Sequence, residues 1–118
     1  MKKPLLVVVD DWEALEVYEA HLEPYFDLTL APFGSEGLRI AKETRPRRVL
    51  LDLTFEDMTP GEAIEAFRSD RLTAEIPLTV VFSRGAEPYA REAVYPRPGD
   101  HSVRRPYELA ELLGFLNS

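Results

Sequence analysis

One residue in the stretch "VLLDL" (49–53) is out of keeping with its neighbours. Val49, Leu50, Leu51 and Leu53 suit a strand buried on both faces, yet Asp52 sits among them. An ionised carboxylate taken into an apolar interior without partners costs several kcal/mol or more. Two further acids, Asp10 and Asp11, directly follow the apolar run "PLLVVV" (4–9). Ser83 directly follows "PLTVVF" (77–82), and Arg105 follows "HSVR" (101–104). Three carboxylates brought to one place repel one another, by roughly 3 kcal/mol per pair at about 5 Å and an effective dielectric near 20. A proton, a cation or a basic side chain must relieve that repulsion. A hard divalent ion suits an all-oxygen site, and magnesium takes a few carboxylates while keeping several waters. Such an ion would also neutralise a phosphoryl group in transfer, with Arg105 as a fixed charge opposite.

These residues need a scaffold that gathers them. The apolar runs at 4–9, 27–31 ("DLTLA"), 48–53 and 77–82 read as short buried strands, with "HSVR" (101–104) a weaker fifth. Helical patterns fall between them. The first spans Trp12 to Leu22 with Leu15, Tyr18 and Leu22 on one side, and the second spans Ser35 to Thr44 with Leu38 and Ala41 inward. A third opens on Thr59 as cap, Pro60 at the first helical position and Glu62 closing a capping box. A poor fourth lies around Glu87 to Val94, cut short by Pro96 and Pro98. The last carries the stripe Leu109, Leu112, Leu113, Leu116, with Pro106 as its expected start. Strand and helix alternate with short connections, which predicts a doubly wound, five-stranded parallel sheet of flavodoxin-like type, covered by helices on both faces. In such sheets ligand chemistry gathers at the carboxyl ends of the strands. Asp10, Asp11, Asp52, Ser83 and Arg105 all fall there.

Composition narrows the function further. The 118 residues suit one domain spanning 1–118. No apolar run nears the roughly 18 residues of a membrane helix, and "MKKPLLVVVDD" meets two acids too early for a signal peptide. With no cysteine there is no disulfide framework or thiolate site, in keeping with a cytoplasmic location. The net charge of −7 argues against direct binding to nucleic acid or to a membrane surface. The basic run "RPRR" (45–48) reads as solvated surface, as do His21 and His101. The turn "VVVDDWEAL" (7–15) has no glycine to cradle a dinucleotide, and no G-x-x-x-x-G-K-[ST] loop is present. That turn is built for a cation.

Taken together, "VVVDDWEAL", "VLLDL", "IPLTVVFSRG" (76–85) and "VRRPYEL" (103–109) resemble the receiver domain of two-component response regulators over nearly the full chain. The resemblance implies a phosphorylation switch rather than an enzyme. Asp52 would be the phosphoacceptor, served by a histidine kinase, a phosphotransfer protein or a small acyl phosphate. Asp11, Asp52 and the backbone carbonyl of Thr54 would ligate Mg2+, with Asp10 holding a metal-bound water. Ser83 and Arg105 would contact the phosphoryl oxygens. Output would pass to a downstream protein target, since no further domain is expected after Ser118, and a homodimer is a further expected partner state.

The sequence departs from that family's pattern in several places. Arg105 stands where a lysine is expected, joined to the following proline by a cis peptide. Its planar head keeps the charge but reaches a different point. Ser102 replaces the aromatic residue that reports switching. Glu56 replaces a proline and adds negative charge, and the glycine comes one position late at Gly61. These changes motivate a second expectation: a pseudo-receiver that binds protein without being phosphorylated.

Overall fold

The computed structural model describes residues 2–53, 58–82 and 97–117. They form strands β1 (Lys3–Val9), β2 (Phe26–Ala31), β3 (Arg48–Asp52), β4 (Leu78–Phe82) and β5 (His101–Arg104), and helices α1 (Trp12–Leu22), α2 (Gly34–Thr44), α3 (Pro60–Ser69) and α4 (Leu109–Leu116). The strands pair in parallel in the order β2-β1-β3-β4-β5. The weak fifth candidate is a strand, with Val81 opposite Val103. The expected helix around Glu87 to Val94 lies outside the described residues.

Continuous apolar strands follow from burial on both faces. Leu5, Val7, Val9, Leu50, Val81 and Val103 pack with Leu15, Tyr18 and Leu22 of α1 and with Leu112 and Leu116 of α4. The alternate residues Leu6, Val8, Val49, Leu51, Leu78 and Val80 pack with Ala41 of α2 and with Ala63, Ile64 and Phe67 of α3. The sheet is therefore covered on both sides, as the alternation implied. Because side chains alternate along a strand, Asp52 shares the face of Leu50, toward α1 and α4.

Local signals set the helix ends. Asp11 caps α1, its side chain accepting from the Glu13 amide at 3.3 Å. Thr59 and Glu62 form the reciprocal capping box of α3, with Glu62 N–H to Thr59 Oγ1 at 3.1 Å and Thr59 N–H to Glu62 Oε1 at 2.8 Å. Helix α2 begins one residue earlier than its apolar pattern suggested, at Gly34. At Gly37 it lies so close to β1 that an added Cβ would stand 2.5 Å from a methyl of Val8. Helix α4 begins at Leu109, not at Pro106. The chain from 105 to 108 is instead a connector that carries Arg105 and Tyr107 across the end of the sheet.

Two other expectations are corrected. Arg48 is not solvated surface: it is 4 % exposed, donating to Thr79 Oγ1 at 3.1 Å and to the Gly99 carbonyl at 2.7 Å. As the first residue of β3 its side chain is drawn under the neighbouring strand, where a hydroxyl and a carbonyl accept from it. His101 is half-buried, its ring 4.7 Å from that of Phe115. Burial, and next the charge of Arg48, hold the imidazole below its ordinary pKa, with Asp100 opposing them. Nearby, Asp100 fastens the approach to β5: it pairs with Arg68 and accepts from the Leu78 amide at 2.8 Å and the Arg97 amide at 2.9 Å.

Candidate functional site

The carboxyl ends of β1 and β3 lie side by side, with Val9 opposite Asp52. Asp10 and Asp11 follow immediately, so the backbone brings all three acids to one rim. Asp52 is 1 % exposed, Asp10 is half-buried and Asp11 is exposed. Arg105 arrives from the carboxyl end of β5, on the far side of β4, where its amide donates to the Phe82 carbonyl at 2.9 Å and the Arg105–Pro106 peptide is cis.

The buried carboxylate is not surrounded by like charge alone. Asp52 Oδ2 accepts from the Arg105 guanidinium and from the Tyr18 hydroxyl, the latter at 2.6 Å. Tyr107 in turn donates to the Tyr18 oxygen at 3.0 Å. One phenol from α1 and the guanidinium from the end of β5 thus meet on one carboxylate oxygen, and a second phenol, from the connector before α4, backs the first. Burial, followed by the Asp52 charge, raises the Tyr18 hydroxyl far above its ordinary pKa, so it remains a donor. Burial is the largest single influence and lowers the Arg105 guanidinium, but its bond to Asp52 and the Asp52 charge, with smaller help from Tyr18 and Tyr107, together leave it raised. This pair answers why an aspartate is tolerated here: the counter-charge and a donor are built in.

The other oxygen, Asp52 Oδ1, is buried and has no hydrogen-bond partner among the described residues. Its environment tests the expected magnesium site. A buried anionic oxygen left without a donor, on a rim that also bears Asp10 and Asp11, is the kind of ligand a hard cation takes, so the residues present fit the ion. They are not gathered as a ready cage. Among the described residues no three acid, histidine or cysteine side chains stand together as a metal group. The three acids share the rim without forming such a group among the described residues. Asp11 is engaged as a helix cap, and Arg105 already supplies the positive charge that Asp52 needs. Thr54, the expected carbonyl ligand, Ser83, the expected phosphoryl contact, and Glu56 lie outside the described residues. Ser102 is exposed on β5, opposite Val80.

Sequence reasoning placed Tyr18 in the inward stripe of α1 and no further. Two signals were available. A buried tyrosine hydroxyl usually finds a partner, and Asp52 has the strand parity that faces α1. Tyr107 carried no comparable signal, because its position depends on the connector.

Trp12 is 68 % exposed immediately after Asp11, and Phe33 is 46 % exposed after β2. No described helix is long and apolar enough to cross a membrane.

Comparison with known proteins places the chain in context. No family model matches it. It is 31% identical over 110 residues to the transcriptional regulatory protein PrrA of Mycobacterium leprae, covering 92% of this chain and 46% of that protein. The chain thus spans about half the length of that curated relative. Among solved structures it is similar to the receiver domain of the sensor histidine kinase PA1611 of Pseudomonas aeruginosa, at a TM-score of 0.81 and 19% identity, covering 99% of this chain and 96% of the other. That domain holds a magnesium ion coordinated in its active-site cleft. It is equally similar to the chemotaxis protein CheY4 of Vibrio cholerae, at a TM-score of 0.81 and 20% identity, covering 99% and 98%. The fold of this chain is the receiver-domain fold.

Proposed function

We propose, on the premise that the chain is a response-regulator receiver domain, that it accepts a phosphoryl group on Asp52 in a magnesium-dependent step and signals through contacts with another protein. One observation carries the reading: a buried strand-end carboxylate with one oxygen tied to a guanidinium and a hydroxyl, and the other without a partner among the described residues. The donor would be a histidine kinase, a phosphotransfer protein or a small acyl phosphate. The setting would be cytoplasmic, and the chain would act as a signalling phosphoacceptor, not as an enzyme with a released substrate.

In this reading each residue has a distinct task. Asp52 Oδ1 is the nucleophile, held in a site that excludes bulk water. Asp10, Asp11, Asp52 and the carbonyl of Thr54 would hold Mg2+, which when bound supplies charge neutralisation for the incoming phosphoryl oxygens. Ser83 would donate to those oxygens. Arg105 would turn from Asp52 toward the phosphoryl group, which presents oxygens suited to its fork. Positioning and charge do nearly all of the work in such a transfer.

A second reading is favoured by one specific observation. Asp52 Oδ2 already carries both a guanidinium and a phenol, so the carboxylate is partly locked, as a protein-binding module that never takes a phosphoryl group would be. One experiment separates the two. The chain is incubated with magnesium and a small acyl phosphate, and its intact mass is followed beside Asp52→Asn. Gain of a single phosphoryl mass, absent from the variant, supports the phosphoacceptor. Absence of that gain, with Trp12 emission responding to magnesium but not to beryllofluoride, supports the locked module.

A further inference from the structure

The two oxygens of Asp52 are in different circumstances, and that difference has a chemical consequence. Oδ2 accepts from Tyr18 and Arg105, whereas Oδ1 has no partner among the described residues. Tyr18 is 4 % exposed and sits on α1, 34 positions before Asp52, so its hydroxyl is held against Oδ2 by core packing. Tyr107 donates to the Tyr18 oxygen, which polarises the Tyr18 O–H and strengthens its own donation.

We infer that Tyr18, backed by Tyr107, is a positioning residue that sets the lifetime of the phosphorylated state at Asp52; this rests on the phosphoacceptor reading above. With Oδ2 held, Oδ1 forms the new bond to phosphorus. A lone pair of Oδ1 attacks, the donor's P–O bond breaks, and the departing acyl group leaves as a carboxylate with the bonding electrons. Asp52 is then an acyl phosphate whose negative charge lies on the phosphoryl oxygens, with Oδ2 as its formally neutral carbonyl oxygen. In hydrolysis a water oxygen bonds to phosphorus, the Oδ1–P bond breaks, its electrons return to Asp52 as carboxylate, and the water proton passes to the released phosphate or to solvent.

A hydrogen bond to a carboxylate is roughly twice as strong as one to a neutral carbonyl. Tyr18 therefore stabilises the unphosphorylated carboxylate more than the acyl phosphate. In a loose transition state the oxygen of Asp52 already carries much of the leaving charge. The Tyr18 bond is then stronger in that state than in the acyl phosphate, and hydrolysis is accelerated. For the same reason it is weaker there than with the free carboxylate, and phosphorylation is slowed. One hydroxyl acts in both directions to keep the phosphorylated state short.

The test is Tyr18→Phe, which removes only the hydroxyl and keeps the packed ring. The chain is labelled with a small acyl phosphate and magnesium, the donor is removed, and loss of the phosphoryl mass is timed. The expected lifetime is roughly threefold to tenfold longer than in the unaltered chain, from the strength of a charge-assisted bond relative to a neutral one. Tyr107→Phe should lengthen it by a smaller factor, and serves as the deciding variant should Tyr18→Phe not fold. A lifetime equal to or shorter than that of the unaltered chain overturns the inference while leaving the phosphoacceptor intact. An unaltered chain that takes no phosphoryl group, behaving as Asp52→Asn does, overturns both.

Discussion

The Tyr18 hydroxyl donates to Asp52 Oδ2 at 2.6 Å, joining the middle of α1 to the last residue of β3. The contact exists because Asp52 projects from the sheet face that α1 covers, and because Tyr18 lies on the inward stripe of that helix. It places a neutral donor and the Arg105 charge on one oxygen, and it leaves the other oxygen for chemistry.

Removing that charge should be costly. In Arg105→Met the carboxylate of Asp52 stays buried with Tyr18 as its remaining described donor. Breaking a fully buried pair costs about 3–5 kcal/mol. Arg105 is 37% exposed at its side chain, so solvent screening reduces the expected loss to about 1–3 kcal/mol. Urea denaturation should report it, and millimolar magnesium should restore stability to this variant more than to the unaltered chain, since an ion that binds only the folded state stabilises it.

The close approach of α2 to β1 predicts a steric penalty far from the site. Gly37→Ala would set its Cβ 2.5 Å from Val8 Cγ2, in a strand with no exposed side to yield toward. Overpacking of this kind costs about 1–3 kcal/mol. The denaturation midpoint should fall, with the slope unchanged.

Helix α3 should depend on its cap. Thr59→Ala removes the acceptor for the Glu62 amide and one half of the reciprocal box, for a loss of about 1 kcal/mol. Thr59→Ser should recover most of it, which thermal unfolding of the three proteins would show.

The pH dependence of stability should carry a mark of His101. Its folded pKa lies below the ordinary 6.5, chiefly because of burial. The folded state then binds fewer protons than the unfolded chain, so the contribution is complete above pH 6.5 and is lost as pH falls from there toward the folded value. Melting temperature should drop between about pH 7 and pH 5.5 more steeply in the unaltered chain than in His101→Gln. Equal slopes would remove His101 from the account.

Much of the architecture was legible in the residues. Apolar runs too uniform to have a wet face, alternating with stripes at helical spacing, imply a doubly covered parallel sheet before any contact is known. "TPGE" at 59–62 announces its own helix start, and the observed capping box follows from side chains within one turn. These are local signals, or periodic ones, and need no knowledge of what lies across the fold. Asp10, Asp11, Asp52 and Arg105 could likewise be assigned to one rim, because strand ends and parallel connection decide it.

What the rim does with those charges was decided only by tertiary packing. Arg48 and Arg47 are neighbours in one basic run, yet Arg48 is buried against Thr79 and Gly99 while Arg47 is exposed. No local pattern separates them, since the difference lies in acceptors about 30 to 50 positions away. Asp52 is the same case. The sequence alone established that a buried acid needed a partner, but the choice among an ion, a proton and a guanidinium depended on which side chains α1, β5 and the connector before α4 bring within reach. A carboxylate takes whichever partner the packed elements present at hydrogen-bond distance, and that distance is a property of the assembled sheet and helices.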